Sequence, residues 1–251
     1  MKRSVLVGAL AIVWLSCVGV KSAIACSCAR PAGPPCRLAA NDVVFVGTVI
    51  QAMDVNQGSD HPFGGRKFVL HVEEAFAGVS GSQMEIFSDT SSCGVHLTPG
   101  QTYLVRAARH LDGTASSHAC SGTTLASLAR DDIQILRKIA AQEPYLGIIG
   151  QLLESIKPGP QSRPTDADLW RPIAGVPVII SGGDQTRRTT TDAEGRFSVW
   201  NVPDGVYRVT IQLKSPLKLD DYSPGFHYSI SDPDQVELHG CPARVLFVAS
   251  R

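Results

Sequence analysis

Six cysteines, Cys26, Cys28, Cys36, Cys93, Cys120 and Cys241, follow an apolar amino-terminal stretch, and this placement constrains the chain more than any other feature. The opening MKRSVLVGALAIVWLSCVGVKSAIA has the three parts of an export signal. Lys2 and Arg3 form a basic head, Val5 to Leu15 an apolar centre, and Ala23 and Ala25 a small-x-small cleavage pair. Lys21 interrupts the apolar run short of the ~18 residues a membrane span needs, and nothing later in the chain is apolar enough to cross a bilayer. Residues 1–25 are therefore read as a removable signal peptide, which takes Cys17 with it. An even cysteine set in an exported chain is read as up to three disulfides. No C-x-x-C pair and no H-x-x-x-H spacing supports a metal site instead. The expected compartment is extracellular or periplasmic.

The remainder of the 251 residues suits two domains of roughly 100 residues each. Basic and acidic residues balance at 23 each without a run of either sign, so a nucleic-acid or anionic-membrane partner is not indicated.

Residues 42–55, DVVFVGTVIQAMDV, form a β-branched run that predicts a long strand. A polar, Gly-rich loop from Asn56 to Arg66 precedes KFVLHVEEAF and SQMEIFSD. A turn at Thr98-Pro99-Gly100 then leads into the strand QTYLVRAAR. His110 to Thr123 is polar and reads as loop. Between Thr124 and Gln142 the period changes: Leu125, Leu128, Ile133, Leu136 and Ile139 recur at helical spacing. Several strands closed by one amphipathic helix are thus expected up to Glu143, where Glu143-Pro144 stops the helix. YLGIIGQLLES opens a second unit, and the proline-rich stretch from Lys157 to Pro172 reads as an exposed loop. IAGVPVIISGG, TRRTTTDAEGRFSVWNV, PDGVYRVTIQL and QVELHGCPARVLFVAS follow, separated by turn residues such as Asp192 to Gly195 and Pro203 to Gly205. No helix is needed there, and a small antiparallel β-sandwich is expected.

Two patterns carry a family resemblance. Cys26-Ser27-Cys28 stands directly behind the cleavage site, and Cys93-Gly94-Val95, Pro99-Gly100-x-x-Tyr103-Leu104-Val105 and Cys120 follow, with a helix at the end. Together these resemble the netrin-like domain of tissue inhibitors of metalloproteinases, over about residues 26–143. The resemblance implies a mainly β molecule whose first domain is a five-stranded OB-fold barrel with one C-terminal helix. It also implies disulfides Cys26–Cys93 and Cys28–Cys120, each stabilising the fold by roughly 4 kcal/mol on chain-entropy grounds. Cys36 and Cys241 are left over, and a Cys36–Cys241 bridge would staple the two domains together. Residues 145–251 resemble a carboxypeptidase regulatory-like domain, a transthyretin-like sandwich, through Ile173 to Val178, Thr191-Asp192-x-x-Gly195-x-Phe197 and Pro203-x-Gly205-x-Tyr207-x-Val209. These are turn glycines and apolar positions, which report architecture and not chemistry.

In the inhibitor family, the free amine and carbonyl oxygen of the first cysteine chelate the target's catalytic zinc. Such zinc keeps one position open, and an α-amine with a pKa near ~8 is partly neutral at physiological pH. The implied contact set is Cys26, Ser27 and Cys28 beside Ser91, Ser92, Cys93 and Gly94, with Ser27 entering the specificity pocket of a zinc metalloprotease. The chain departs from the family pattern: the proline after C-x-C is Pro31, the third cysteine arrives early at Cys36, and the second domain is a β-sandwich. The alternative is a non-inhibitory extracellular or cell-envelope binding or structural module, lipid-anchored through Cys26 or not. Lipidation would acylate the amine that chelation requires, so the two fates exclude each other. Ala25 fits a lipidation signal, whereas Ile24 is bulky and Ala23 stands where leucine is usual. The combination of domains has a bacterial look. No G-x-S-x-G elbow, H-E-x-x-H helix or phosphate loop is present, so no enzymatic activity and no cofactor is read from the chain. Glu73-Glu74 is a poor acid–base pair because adjacent strand residues face opposite ways. Asp192-x-Glu194-Gly195 reads as a turn rather than a calcium loop.

Overall fold

A computed structural model of the chain describes residue 28 and residues 35–55, 65–156, 170–219 and 235–250. Cys26, Ser27 and the expected signal peptide lie outside the described residues.

The first unit is built on β1 (Asp42–Val55), β2 (Gly65–Ala77), β3 (Gln83–Asp89), β4 (Thr102–Arg109), β5 (Ala115–Ser116) and β6 (Thr124–Leu125). The pairing order β1-β2-β3-β5-β4 closes through a β4–β1 ladder, giving a five-stranded OB-type barrel with β6 added outside β4. Closure requires β1 to bend far enough to pair on both sides. Three register shifts against β2, at Val44/Phe45, Val46/Gly47 and Val49/Gln51, supply that bend. At Gly47 a Cβ would meet the His71 carbonyl oxygen at 2.7 Å and the Phe45 ring at 2.8 Å, so the coil of the strand admits no side chain there.

The unbroken apolar run VVFV follows from burial on both faces. Val43 and Phe45 point into the barrel with Phe68, Leu70, Ile86 and Val105, whereas Val44 and Val46 pack outside it with Leu104, Ile133 and Leu136. The outer layer is covered by helix α1 (Arg130–Ala140). This helix begins later than the spacing predicts. Leu125 belongs to β6, paired with Tyr103, and Leu128 is 65% exposed. Their helical spacing from Ile133 is a coincidence of two strand and turn residues, and backbone pairing with β4 overrides it. The segment expected to be loop from His110 to Thr123 contains β5, whose two residues fill the gap between β3 and β4.

The second unit comprises β7 (Gly147–Ser155), β8 (Trp170–Pro172), β9 (Pro177–Gly182), β10 (Gln185–Thr190), β11 (Arg196–Trp200), β12 (Gly205–Ile211), β13 (Lys218–Leu219), β14 (Gln235–Leu238) and β15 (Ala243–Ser250). One sheet runs β10-β9-β12-β14 and the other β11-β7-β15-β13, with β8 beside β7. Ile148, Leu152, Val178, Ile180, Phe197, Val209, Leu238 and Phe247 fill the space between them. Burying side chains of this size contributes about 1.5–3 kcal/mol each before entropy is counted. The Tyr207 hydroxyl donates to the Pro203 carbonyl at 2.9 Å, pinning the turn into β12. The sandwich is antiparallel except that β15 runs parallel to β7. The whole opposite sheet serves as the crossover that a parallel pair needs.

The two units are tied together at several points. Cys36 is bridged to Cys241 with a Cα–Cα distance of 5.7 Å. The first turn of α1 presents Asp131 to Arg196 of β11 at 3.0 Å, and Asp132 to Arg244 of β15. Lys138 lies 5.4 Å from the Trp200 ring centroid, and Arg37 donates to the His239 carbonyl at 3.3 Å. Burial pushes the Asp132 carboxyl above its ordinary value, opposed by the Arg244 and Arg106 charges. The Nε atoms of Arg196 and Arg244 are buried without a partner among the described residues.

Candidate functional site

β3 leaves the barrel at Asp89, and the next six residues form a tightly cross-linked loop. Asp89 Oδ1 accepts the Ser91 N–H at 2.8 Å and also the Ser91 hydroxyl. The Ser91 hydroxyl oxygen accepts the Cys93 N–H at 3.1 Å, and the Gly94 N–H donates to the Ser91 carbonyl at 3.0 Å. An Asp-x-Ser pair favours such a turn because short polar side chains take the place of ladder partners. Beneath it, the buried Ser88 hydroxyl accepts the Val95 N–H at 2.8 Å. Gly94 closes the loop: a Cβ there would lie 2.0 Å from the Asp89 carbonyl oxygen.

A second segment runs alongside. Gly94 and His118 form an antiparallel bridge, and the Ala119 N–H donates to the Cys93 carbonyl at 2.7 Å. His118 Nδ1 accepts the Cys120 N–H at 3.1 Å, which directs the ring over the turn. This segment is anchored to β4 by hydroxyls. Ser117 donates to the Arg106 carbonyl at 2.9 Å, and Thr123 Oγ1 accepts the Arg106 N–H at 2.9 Å. Cys120 then joins Cys28, with Cα atoms 5.5 Å apart. Cys93 is disulfide-bonded as well, to a partner outside the described residues.

Cys28, Ser91, Ser92, Cys93 and Gly94 thus share one edge of the barrel, at the end of β3 where β5 runs out. Cys28, Ser92 and His118 are exposed, while Gly94 is buried beneath the ridge. Cys26 and Ser27, the other two sequence-predicted contacts, lie outside the described residues. Sequence reasoning missed His118, Ser88, Ser117 and Thr123. The signal for His118, Ser117 and Thr123 was the density of hydroxyls in SSHACSGTT, which also reads as ordinary loop polarity; Ser88, inside a strand, gave none. The edge carries backbone carbonyls, hydroxyls and one imidazole, with few formal charges. Among the described residues no group of three or more His, Cys, Asp or Glu side chains is placed to hold a metal ion, and no helix is long and apolar enough to cross a membrane.

The neighbouring Glu73 and Glu74 face opposite sides of β2, as strand alternation requires. Glu73 accepts from Thr48, whereas Glu74 takes a bidentate contact from Arg137 of α1, which raises the guanidinium pKa further. Asp192 Oδ1 accepts the Glu194 and Arg196 N–H groups, so its carboxylate is spent on the turn into β11.

No family model matches the chain, and no curated protein matches it. Several solved structures show distant likeness, two of them as follows. The Bacillus anthracis TIE protein is 14% identical with a TM-score of 0.29, over 84% of this chain and 35% of that one. The major pilin subunit of Bacillus cereus, BcpA, is 10% identical with a TM-score of 0.26, over 84% of this chain and 60% of that one. Neither likeness assigns a family. The chain spans about a third of the first protein's length and three fifths of the second's, and similarity this low carries no functional argument.

Proposed function

We propose that this chain is an exported, metalloprotease-inhibitor-like protein whose mature form begins at Cys26 and offers that residue's amine and carbonyl to a protease's catalytic zinc. The barrel belongs, on this reading, with the netrin-like domains of tissue inhibitors of metalloproteinases, and the second unit with carboxypeptidase regulatory-like sandwiches. The observation that carries the proposal is the exposed Cys28, bridged to Cys120 beside the Asp89–Gly94 loop. A terminus two residues upstream of that bridge is tethered to a rigid edge, which lowers the ordering cost of binding. A neutral amine and its own carbonyl then form a compact bidentate ligand for an open zinc position, with Ser27 next in line for the adjoining pocket. The disulfides and the absence of a spanning helix among the described residues are consistent with an extracellular or periplasmic location.

A second reading rests on a different observation. The units are fixed to each other by a disulfide and two ion pairs, which suits a rigid envelope or extracellular binding module that inhibits nothing, with Cys26 lipidated or free. One pair of measurements separates the readings. Intact-mass analysis of the exported protein gives the first residue and any lipid increment. Inhibition of a panel of zinc endopeptidases is then compared for the native protein and for a form with one alanine ahead of Cys26. Chelation by the terminus predicts a Cys26 without lipid and with an unmodified amine, and a loss of potency of about a hundredfold or more on extension. A lipid on Cys26, or equal potency of the two forms, refutes it.

A further inference from the structure

Among the described residues strand β10 lies at the edge of its sheet, with β11 of the other sheet approaching it. It ends the order β10-β9-β12-β14, and among the described residues nothing pairs with its outer side. It runs in register with β9 over six consecutive pairs, Gln185↔Gly182 to Thr190↔Pro177, without a bulge or proline. Five of its six residues are exposed. The remaining edges of the sandwich are shorter: β8 has three residues, β13 two and β14 four. On the other sheet the edge strand β11 is half-buried over most of its length. An unbulged edge of this length is a template for another strand unless something prevents it.

The charges on β10 decide which strand. Arg187 lies in register with Ile180 and Val209 on the core-facing side, and Arg188 with Ile179 and Thr210 on the outer side. The two guanidinium groups therefore flank the edge from opposite faces. Among the described residues the Arg187 side chain hydrogen-bonds Gln185 of its own strand at 3.2 Å, and Arg188 has no hydrogen-bond or ion-pair partner. A second copy adding antiparallel through the same edge would set arginine against arginine, which is unfavourable. The same pair favours an incoming strand with two consecutive acidic residues, one for each face.

We propose that β10 is a docking edge for an extended acidic segment of a partner protein, which adds as a fifth strand with adjacent Asp or Glu residues opposite Arg187 and Arg188. Backbone pairing along Gln185–Thr190 supplies the affinity, the two arginines supply the selection, and Thr186, Thr189 and Thr190 favour β-branched neighbours on the added strand. This stands apart from the amino-terminal ridge and does not depend on protease inhibition.

The full-length oxidised protein is titrated with a fluorescein-labelled, end-blocked peptide, Thr-Val-Glu-Glu-Val-Thr, and with its Lys-Lys counterpart, while hydrogen exchange is followed across residues 185–190. The expected result is binding of the acidic peptide alone, with slowed exchange confined to β10. In the R187E/R188E double variant the acidic peptide binds about tenfold or more weakly and the Lys-Lys peptide is accepted instead. Both positions are exposed, and an unchanged melting temperature verifies that the variant folds. Absence of binding, equal binding of both peptides by the native protein, protection elsewhere, or self-association that the double variant abolishes would each overturn the proposal.

Discussion

Replacing Gly94 with alanine tests the architecture of the ridge directly. The added methyl would sit 2.0 Å from the Asp89 carbonyl oxygen, 3.0 Å from its carbon and 3.1 Å from Ser88 Oγ. Ordinary carbon–oxygen contact is about 3.3 Å, so the loop must open by roughly an ångström. The obstruction is backbone, held by the Ser91 and Val95 hydrogen bonds, and cannot swing aside as a flexible side chain would. Overpacking of this kind costs about 1–3 kcal/mol, with the loss of one turn hydrogen bond adding about 1 kcal/mol. Gly100→Ala is the matched control. There φ is +81° and nothing lies within 4 Å, so only backbone strain of about 1 kcal/mol applies. Chemical denaturation under non-reducing conditions should therefore rank Gly94→Ala clearly below Gly100→Ala, both below the native protein. At a few degrees per kcal/mol, the melting temperature should fall by about 8–15 °C for Gly94→Ala. If Gly94→Ala is as stable as the native protein, the close approach of residues 89 and 94 is wrong, and the ridge with it.

Three further outcomes follow from the junction of the units. Removing the Cys36–Cys241 bridge, which closes a separation of 205 residues, should cost about 5 kcal/mol on chain-entropy grounds and split a single calorimetric transition into two; one unchanged transition would contradict this. Gln142 has φ +55° just past the end of α1, where the Glu143 N–H donates back to the Lys138 carbonyl, so Gln142→Gly should stabilise by about 0.5–1 kcal/mol in urea titrations. Asp132 has a folded pKa raised by burial, so the native state holds its proton more tightly than the unfolded chain. Its stabilising contribution is complete below the ordinary carboxylate value and is lost as pH rises through the raised value. The stability difference between native and Asp132→Asn forms, measured from pH 3 upward in steps, should change in that window and be flat well above it.

How far the sequence discloses this fold depends on the length scale of each signal. β1 was legible because fourteen residues of mostly β-branched and apolar character leave little else for the segment to do. β5, β8 and β13 were not, since two or three residues cannot display a period, and their pairing is fixed by distant strands. Leu125 and Leu128 misled the reading of the helix start because a strand and a turn placed them at spacings a helix also uses. The parallel pairing of β15 with β7 lies beyond local reasoning, as it is set by the path of the chain through the opposite sheet. At the ridge, Cys28, Ser91, Ser92, Cys93 and Gly94 came from a resemblance. The reason Gly94 must be glycine, and the part played by His118, are matters of three-dimensional contact.

The order in which the cysteines occur along the chain has a biosynthetic consequence. Cys28 must wait for Cys120, 92 residues on, and Cys36 must stay unpaired until Cys241, 205 residues on, has arrived. An oxidant that joins thiols as they emerge would link Cys28 to Cys36 and strand both downstream partners. Oxidative folding therefore calls for an isomerase that reopens early mispairings, and folding without one should accumulate chains with Cys28 joined to Cys36.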